Sequence, residues 1–261
     1  MPPIPPFHDS FLQPLALKTI SINQPHFFPY IGYFKLIQES DAFVLYPHLV
    51  NHSKSWVARN RYMLNGELRF FSVPISKATR RSNISEIEFV DFDAWMEGQM
   101  TMFRQAYHKA PFYEETVSFL EAFSSAAQAC SSSCAIICES VRSVCEHLGI
   151  STSIVLHPSE PAWERELEGM SDADARRCRR IVQICSDSEA THYLNLPGGR
   201  SLYSPEAFKR HGVDLQFLNV DFQGLTDLGL EHPDASILHA MMHLGKEQLS
   251  HVLCRPSTLQ C

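Results

Sequence analysis

Residues 19–46 hold two short β-favouring runs on either side of a proline-punctuated aromatic stretch and one helical pattern. The first run, Thr19-Ile-Ser-Ile-Asn23, stops at Gln24-Pro25, because Pro25 has no backbone N–H with which to extend a ladder. After Pro29, Ile31, Phe34, Leu36 and Ile37 recur at helical spacing up to Glu39, and Ala42-Phe-Val-Leu-Tyr46 follows as a second apolar run. Strand, aromatic loop, helix and strand in this order predict a βαβ unit whose two strands are parallel.

The rest of the chain continues the alternation. Val57 to Leu64 and Leu68 to Ile75 flank Asn65-Gly66, whose left-handed preference suits a two-residue type I′ hairpin turn. Ile84 to Phe89 reads as a further strand, and helical spacing dominates from Ala94 to Gly149, with breaks near Pro111 and at Ser131 to Ser133. Gly149 is a helix stop before a strand at Ser151 to Leu156. His157 to Met170 reads as a loop, and Ser171 as the cap of a helix carrying Cys178, Ile181, Val182 and Cys185. Thr191 to Leu194 and Val213 to Val220 are strands around a Pro197-Gly198-Gly199 turn and a helix at Pro205 to His211, and Ser236 opens a final helix through Gly245. The class is α/β: a mixed sheet with a βαβ start, a β-hairpin and a helical insertion. The expected division is a flexible Pro-rich extension at 1–17, a single domain at 18–250 and a C-terminal tail at 251–261.

Several classes are excluded. Hydrophobic residues make up 44% and charged residues 20%, enough to bury a core, and charge or Pro interrupts every apolar run before it reaches membrane-spanning length. The proline-rich start lacks the basic and apolar regions of a secretory signal, so the expected location is cytoplasmic, with reduced thiols. Net charge is −7, which argues against a general nucleic-acid binder while leaving room for a local basic patch.

From Gln24-Pro-His-Phe-Phe-Pro-Tyr-Ile-Gly-Tyr-Phe34 onward the chain resembles the WbqC-like family. The resemblance runs through Asp41-Ala-Phe-Val44, Ser55-Trp56, Arg59-Asn60-Arg61, the Asn65-Gly66 hairpin and Val73-Pro74. It continues with Tyr107, Ala110-Pro111, Tyr193-Leu-Asn195, Gly198-Gly199, Leu202-Tyr203, Phe208 and Ser236-Ile237. It implies a biosynthetic role among surface polysaccharides, modified amino sugars or specialised metabolites, with an acyl or aminoacyl group transferred to an amine. It also marks departures. Relatives carry paired acidic residues where this chain has Pro47-His48, an Asn where it has Ala58, and an Asp where it has His239.

Three groups carry candidate chemistry. Gln24 and His26 lie where the first strand ends, the edge at which open α/β sheets bind ligands. The neighbouring Phe27, Phe28 and Phe34 read as core rather than as ligand contacts. Trp56 with Arg59-Asn60-Arg61 forms the second group: on a strand Arg59 and Arg61 share one face, where two guanidiniums can grip a phosphate or carboxylate, and Lys54 adds charge. A solvated hairpin face is the competing reading. Asn195, Gly198, Gly199 and Tyr203 form the third, a close-approach corner for an anion or a plain turn. His239 and His243 share a helix face, but the general-base Glu of a zinc peptidase helix is replaced by Ala240.

The resulting assignment is catalytic His26, Gln24, Asn60 and His239, and substrate-binding Lys54, Trp56, Arg59, Arg61, Asn195, Gly198, Gly199 and Tyr203. The expected substrate is a small molecule or nucleotide sugar, the donor a carrier protein or tRNA. No metal or other cofactor and no membrane are called for. The alternative is a family member that has lost catalysis and serves as a binding or scaffold protein.

Overall fold

The computed structural model describes residues 19–260 apart from 53 and 158–160. The proline-rich extension expected at 1–17 lies outside the described residues. The elements follow as β1 (Thr19–Asn23), α1 (Ile31–Gln38), β2 (Ala42–Leu45), β3 (Arg59–Leu64), β4 (Glu67–Ser72), α2 (Phe92–Tyr107), α3 (Tyr113–Ala127), α4 (Ser133–Leu148) and β5 (Ser153–Leu156). Then come α5 (Ala162–Glu168), α6 (Ala173–Asp187), β6 (His192–Asn195), α7 (Pro205–Lys209), β7 (Asp214–Asn219), α8 (Phe222–Asp227), α9 (Ile237–Leu253) and β8 (Thr258–Gln260).

Six strands form one sheet in the order β5-β2-β1-β6-β7-β8, parallel except for β8, which pairs antiparallel with β7. Ile20 stands opposite Ala42 on one side and Tyr193 on the other. The chain first steps outward from β1 to β2 and β5, then returns to lay β6 on the other flank of β1. The strand order therefore reverses at β1 and β6. The hairpin β3–β4 is a separate two-stranded sheet.

Alternate strand residues face two cores, as the two-residue period of a doubly covered sheet requires. Ile20, Ile22, Ala42, Val44, Tyr193, Leu215 and Phe217 pack with Ile181, Cys185 and Phe208 from α6 and α7. Phe43, Leu45, Leu194 and Leu218 face the larger core, which takes in α1, the hairpin, the insertion α2–α4 and α9. Phe27, Phe28 and Phe34 are at most 1% exposed. Phe28 meets Phe27 and Phe123 edge-on at 4.7 Å each, so these rings are core, each contributing about 1.5–3 kcal/mol by leaving water.

The βαβ start, the hairpin with left-handed Asn65 and Gly66, and the insertion breaking before and after α3 all match the sequence patterns. Others differ. Residues Ile84–Glu86 make a 3₁₀ turn instead of a strand. The Ile84 and Ser85 N–H groups donate to the Leu49 and Pro47 carbonyls, and the flanks meet their neighbours through the isolated bridges Val50 to Asn83 and Ile75 to Phe89. The expected loop at 157–170 contains α5, held by a distant partner: Glu164 accepts from Arg180 and from the Tyr46 hydroxyl. The α6 cap is Asp172 rather than Ser171, its carboxylate accepting from the Asp174 and Ala175 amides. The final helix kinks at Gly245 and runs on to Leu253. Cys134, Cys138 and Cys145 are buried in the α4 stripe, while Cys130 precedes the helix.

Candidate functional site

The tip of the hairpin, the end of α2 and the first half of α9 enclose a cleft of about 320 Å³. Met63, Asn65 and Gly66 supply one wall; Tyr107, Lys109, Ala110 and Pro111 supply another; His239, His243 and Glu231 close the third. The Asn65-Gly66, Tyr107 and Ala110-Pro111 segments, far apart in sequence, thus share one cavity.

Hydrogen bonding fixes protonation within it. His239 Nε2 lies 2.7 Å from the Glu231 carbonyl oxygen, which can only accept, so Nε2 carries the proton. Nδ1 is then an acceptor, and the Tyr107 hydroxyl, 3.1 Å away, donates to it. The same hydroxyl accepts from the Met63 N–H at 2.8 Å. Burial pushes the His239 pKa down to about 4, and the nearby His243 and His232 add to that, so the imidazole is neutral at pH 7. The His243 ring is centred 4.6 Å from that of His239, and desolvation lowers its pKa as well. With both His239 nitrogens engaged, His243 is the imidazole available to a ligand. Among the described residues, no group of three or more His, Cys, Asp or Glu side chains is placed to hold a metal ion.

The residues singled out in the sequence occupy several places. Gln24 and His26 meet at Tyr33, whose hydroxyl donates to the Gln24 carbonyl at 2.8 Å and whose ring lies 5.6 Å from that of His26. Burial pushes the His26 pKa down to about 4. Asn60 is 3% exposed and acts on the backbone: its Nδ2 donates to the Phe28 carbonyl at 2.7 Å, and its Oδ1 accepts from the Arg61 amide. Phe28 has a left-handed φ of 44°, and its carbonyl also accepts from Ser236 Oγ while its N–H donates to Ser140 Oγ. Asn60 thereby fixes a strained joint between the aromatic loop, the hairpin and α9.

Arg59 and Arg61 lie against Trp56 on the outward face of the hairpin, with Arg61 also paired to Asp234 at 2.7 Å. Lys54 is exposed nearby in sequence. Asn195 ends β6, accepts from the Leu196 amide and covers Gly199, where a Cβ would lie 2.3 Å from its Nδ2. Gly198 has open space beside it. Tyr203 packs on Tyr193 and Phe208 in the second core, beside a separate cleft with Asp174 and Cys178. The sheet therefore separates Tyr203 from His239.

His243, Lys109 and Glu231 were not singled out as transfer residues. The four-residue spacing of His239 and His243 was the one available signal, and with Ala240 in place of a Glu it read as a pair of partly buried structural histidines. The departures also find places. His48 is buried beside the Tyr46 and His157 rings with Nε2 3.0 Å from the His157 carbonyl, and Ala58 is core.

A sequence model of the WbqC-like protein family matches residues 24–251. A relative from Mycobacterium tuberculosis (strain ATCC 25618 / H37Rv), the uncharacterized protein Rv1507c, is 25% identical over 235 residues, covering 88% of this chain and 96% of its own. No solved structure shows a significant match.

Proposed function

The chain belongs to the WbqC-like protein family, and on that premise we propose that it is a biosynthetic enzyme transferring an activated acyl or aminoacyl group to the amine of a small molecule or glycan precursor. One observation carries the reading: the cleft gathers Asn65, Gly66, Tyr107, Ala110 and Pro111 around the neutral His243.

In this scheme the acceptor amine attacks the carbonyl carbon of a thioester or ester donor. As the carbon–nitrogen bond forms, the amine proton passes to His243. Collapse of the tetrahedral intermediate breaks the carbon–sulfur or carbon–oxygen bond, and the leaving group takes the proton back from the imidazolium. Tyr107 and the Glu231 carbonyl hold His239 in one tautomer against His243. Lys109 and Asn65 offer donors for the developing oxyanion. His26 with Gln24 is the competing base, at the end of β1.

Purified protein incubated with thioester and aminoacyl-ester donors and a panel of amino sugars, followed by mass spectrometry for the amide, tests this. His243→Asn should abolish product and His26→Asn should leave it. The reverse pattern moves the chemistry to the end of β1. A second reading, a binding or scaffold protein, draws on the closed Tyr107–His239–Glu231 chain, which leaves no His239 nitrogen for catalysis. Ligand-induced thermal stabilisation without product would favour it.

A further inference from the structure

The cations of this chain are unevenly placed. Between residues 49 and 85 stand seven Lys or Arg and one Glu, in a chain whose net charge is −7. The hairpin register sorts part of this block by face. Asn60, Tyr62 and Phe71 are buried toward the core, whereas Arg59, Arg61 and Met63 share the outward face of β3, with Phe70 directly opposite Arg61. The Arg59 guanidinium lies 4.7 Å from the centre of the Phe70 ring and 5.3 Å from that of Trp56. Both rings still face water, Trp56 being 39% and Phe70 54% exposed.

Arg61 is paired with Asp234 and Arg69 with Glu67, but Lys54, Arg59, Lys77, Arg80 and Arg81 make no ion pair among the described residues. The loop carrying Lys54 is fastened to the loop carrying Arg80: Asn51 Nδ2 donates to the Arg80 carbonyl at 3.1 Å, and Ser55 Oγ donates to Asn51 Oδ1 at 2.6 Å. Cations thus continue from the hairpin face into residues 77–81. At the other end the face reaches Met63, which lines the cleft. At about 3.3 Å per strand residue, Arg61 stands about 7 Å and Arg59 about 13 Å from Met63. Asp234 and Glu67 are paired with cations of the strip, and the Glu88 backbone lies against the 76–79 loop, its N–H donating to Thr79 Oγ1 and its carbonyl accepting from the Ser76 N–H.

We propose that this face docks single-stranded RNA whose 3′ end enters the cleft. The inference rests on the transfer reading above and names its donor: an RNA bearing the aminoacyl group as an ester of its terminal ribose. Exposed aromatic faces beside a guanidinium suit stacked bases, and unpaired cations in a strip suit successive phosphates. A mononucleotide would leave the 77–81 cations unused. An acidic carrier protein would answer the charge but present no flat base to the two rings.

The test is fluorescence anisotropy of a short unstructured RNA with the full chain at several salt concentrations. Parallel arms use ATP, DNA of the same sequence and an acidic acyl carrier protein. Because Arg59 is packed against both rings, the exposed pair is varied instead: R80E with R81E should weaken RNA binding at least about tenfold and flatten its salt dependence. W56A should weaken it about tenfold at all salt concentrations. RNA affinity unchanged in both variants, ATP binding as tightly as RNA, or the carrier protein binding in place of RNA would overturn the proposal. RNA binding without amide formation would sink the transfer reading and leave the docking surface. Amide formation from thioesters by a chain that ignores RNA would do the opposite.

Discussion

The Tyr107 hydroxyl donates to His239 Nδ1 at 3.1 Å and accepts from the Met63 N–H at 2.8 Å, so one phenol joins the helical insertion to the hairpin and to the final helix. The exposed edge of β3 is closed by this contact and by the Ser236 N–H, which donates to the Arg61 carbonyl at 3.0 Å. The cleft wall and the hairpin position are held by the same bonds.

Tyr107→Phe should cost about 1–3 kcal/mol, because it strips an acceptor from the Met63 amide and a donor from a buried imidazole. Urea unfolding measures the loss. Nitrogen NMR of the wild-type chain should show His239 protonated at Nε2; a proton at Nδ1 would contradict the hydrogen-bond assignment.

Acid should destabilise the fold through its neutral imidazoles. His239 is 3% exposed, with a pKa pushed to about 4 from the ordinary 6.5. Below pH 6.5 the unfolded chain takes up a proton that the folded chain refuses until about pH 4. Stability from this group is therefore complete above pH 6.5 and lost as the pH falls toward 4, by about 3 kcal/mol at full extent. His26 acts in the same direction. Unfolding free energy followed across this window should fall less steeply in His239→Gln, and an unaltered slope would remove His239 as a cause.

Two glycines should respond oppositely to alanine. Gly245 has φ 68°, and a Cβ there would lie 2.4 Å from Phe112 Cδ1, so Gly245→Ala should destabilise by about 2 kcal/mol or more. Gly98 is exposed within α2 with open space around it, so Gly98→Ala should stabilise by about 0.5–1 kcal/mol through helix propensity. Thermal unfolding of the two variants side by side checks both signs.

Asn60→Ala should lower stability by about 1–3 kcal/mol, since the Phe28 carbonyl and the Arg61 amide each lose a buried partner. Ligand affinity in the cleft should change little while the fold persists. A large affinity loss at unchanged stability would place Asn60 in the site rather than in the fold alone.

Much of the fold was legible in the chain because strand alternation, helical spacing, Pro25, Asn65-Gly66 and Gly149 act within a few residues of themselves. The misread segments 84–89 and 157–170 were decided at a distance. α5 depends on Glu164 meeting Arg180, and the 84–86 turn on the Leu49 and Pro47 carbonyls that accept its first two N–H groups. The candidate site divides in the same way. Arg59 and Arg61 fall on one face of β3 because side chains on a strand repeat every two residues, so sequence alone paired them. Nothing local could show that Tyr107, His239 and the hairpin tip enclose one cleft, or that Tyr203 lies across the sheet from them. Periodicity determines which face a side chain takes, through sterics internal to each element. Which faces then meet was decided by the long-range burial of two apolar cores and by hydrogen bonds closing across more than a hundred residues.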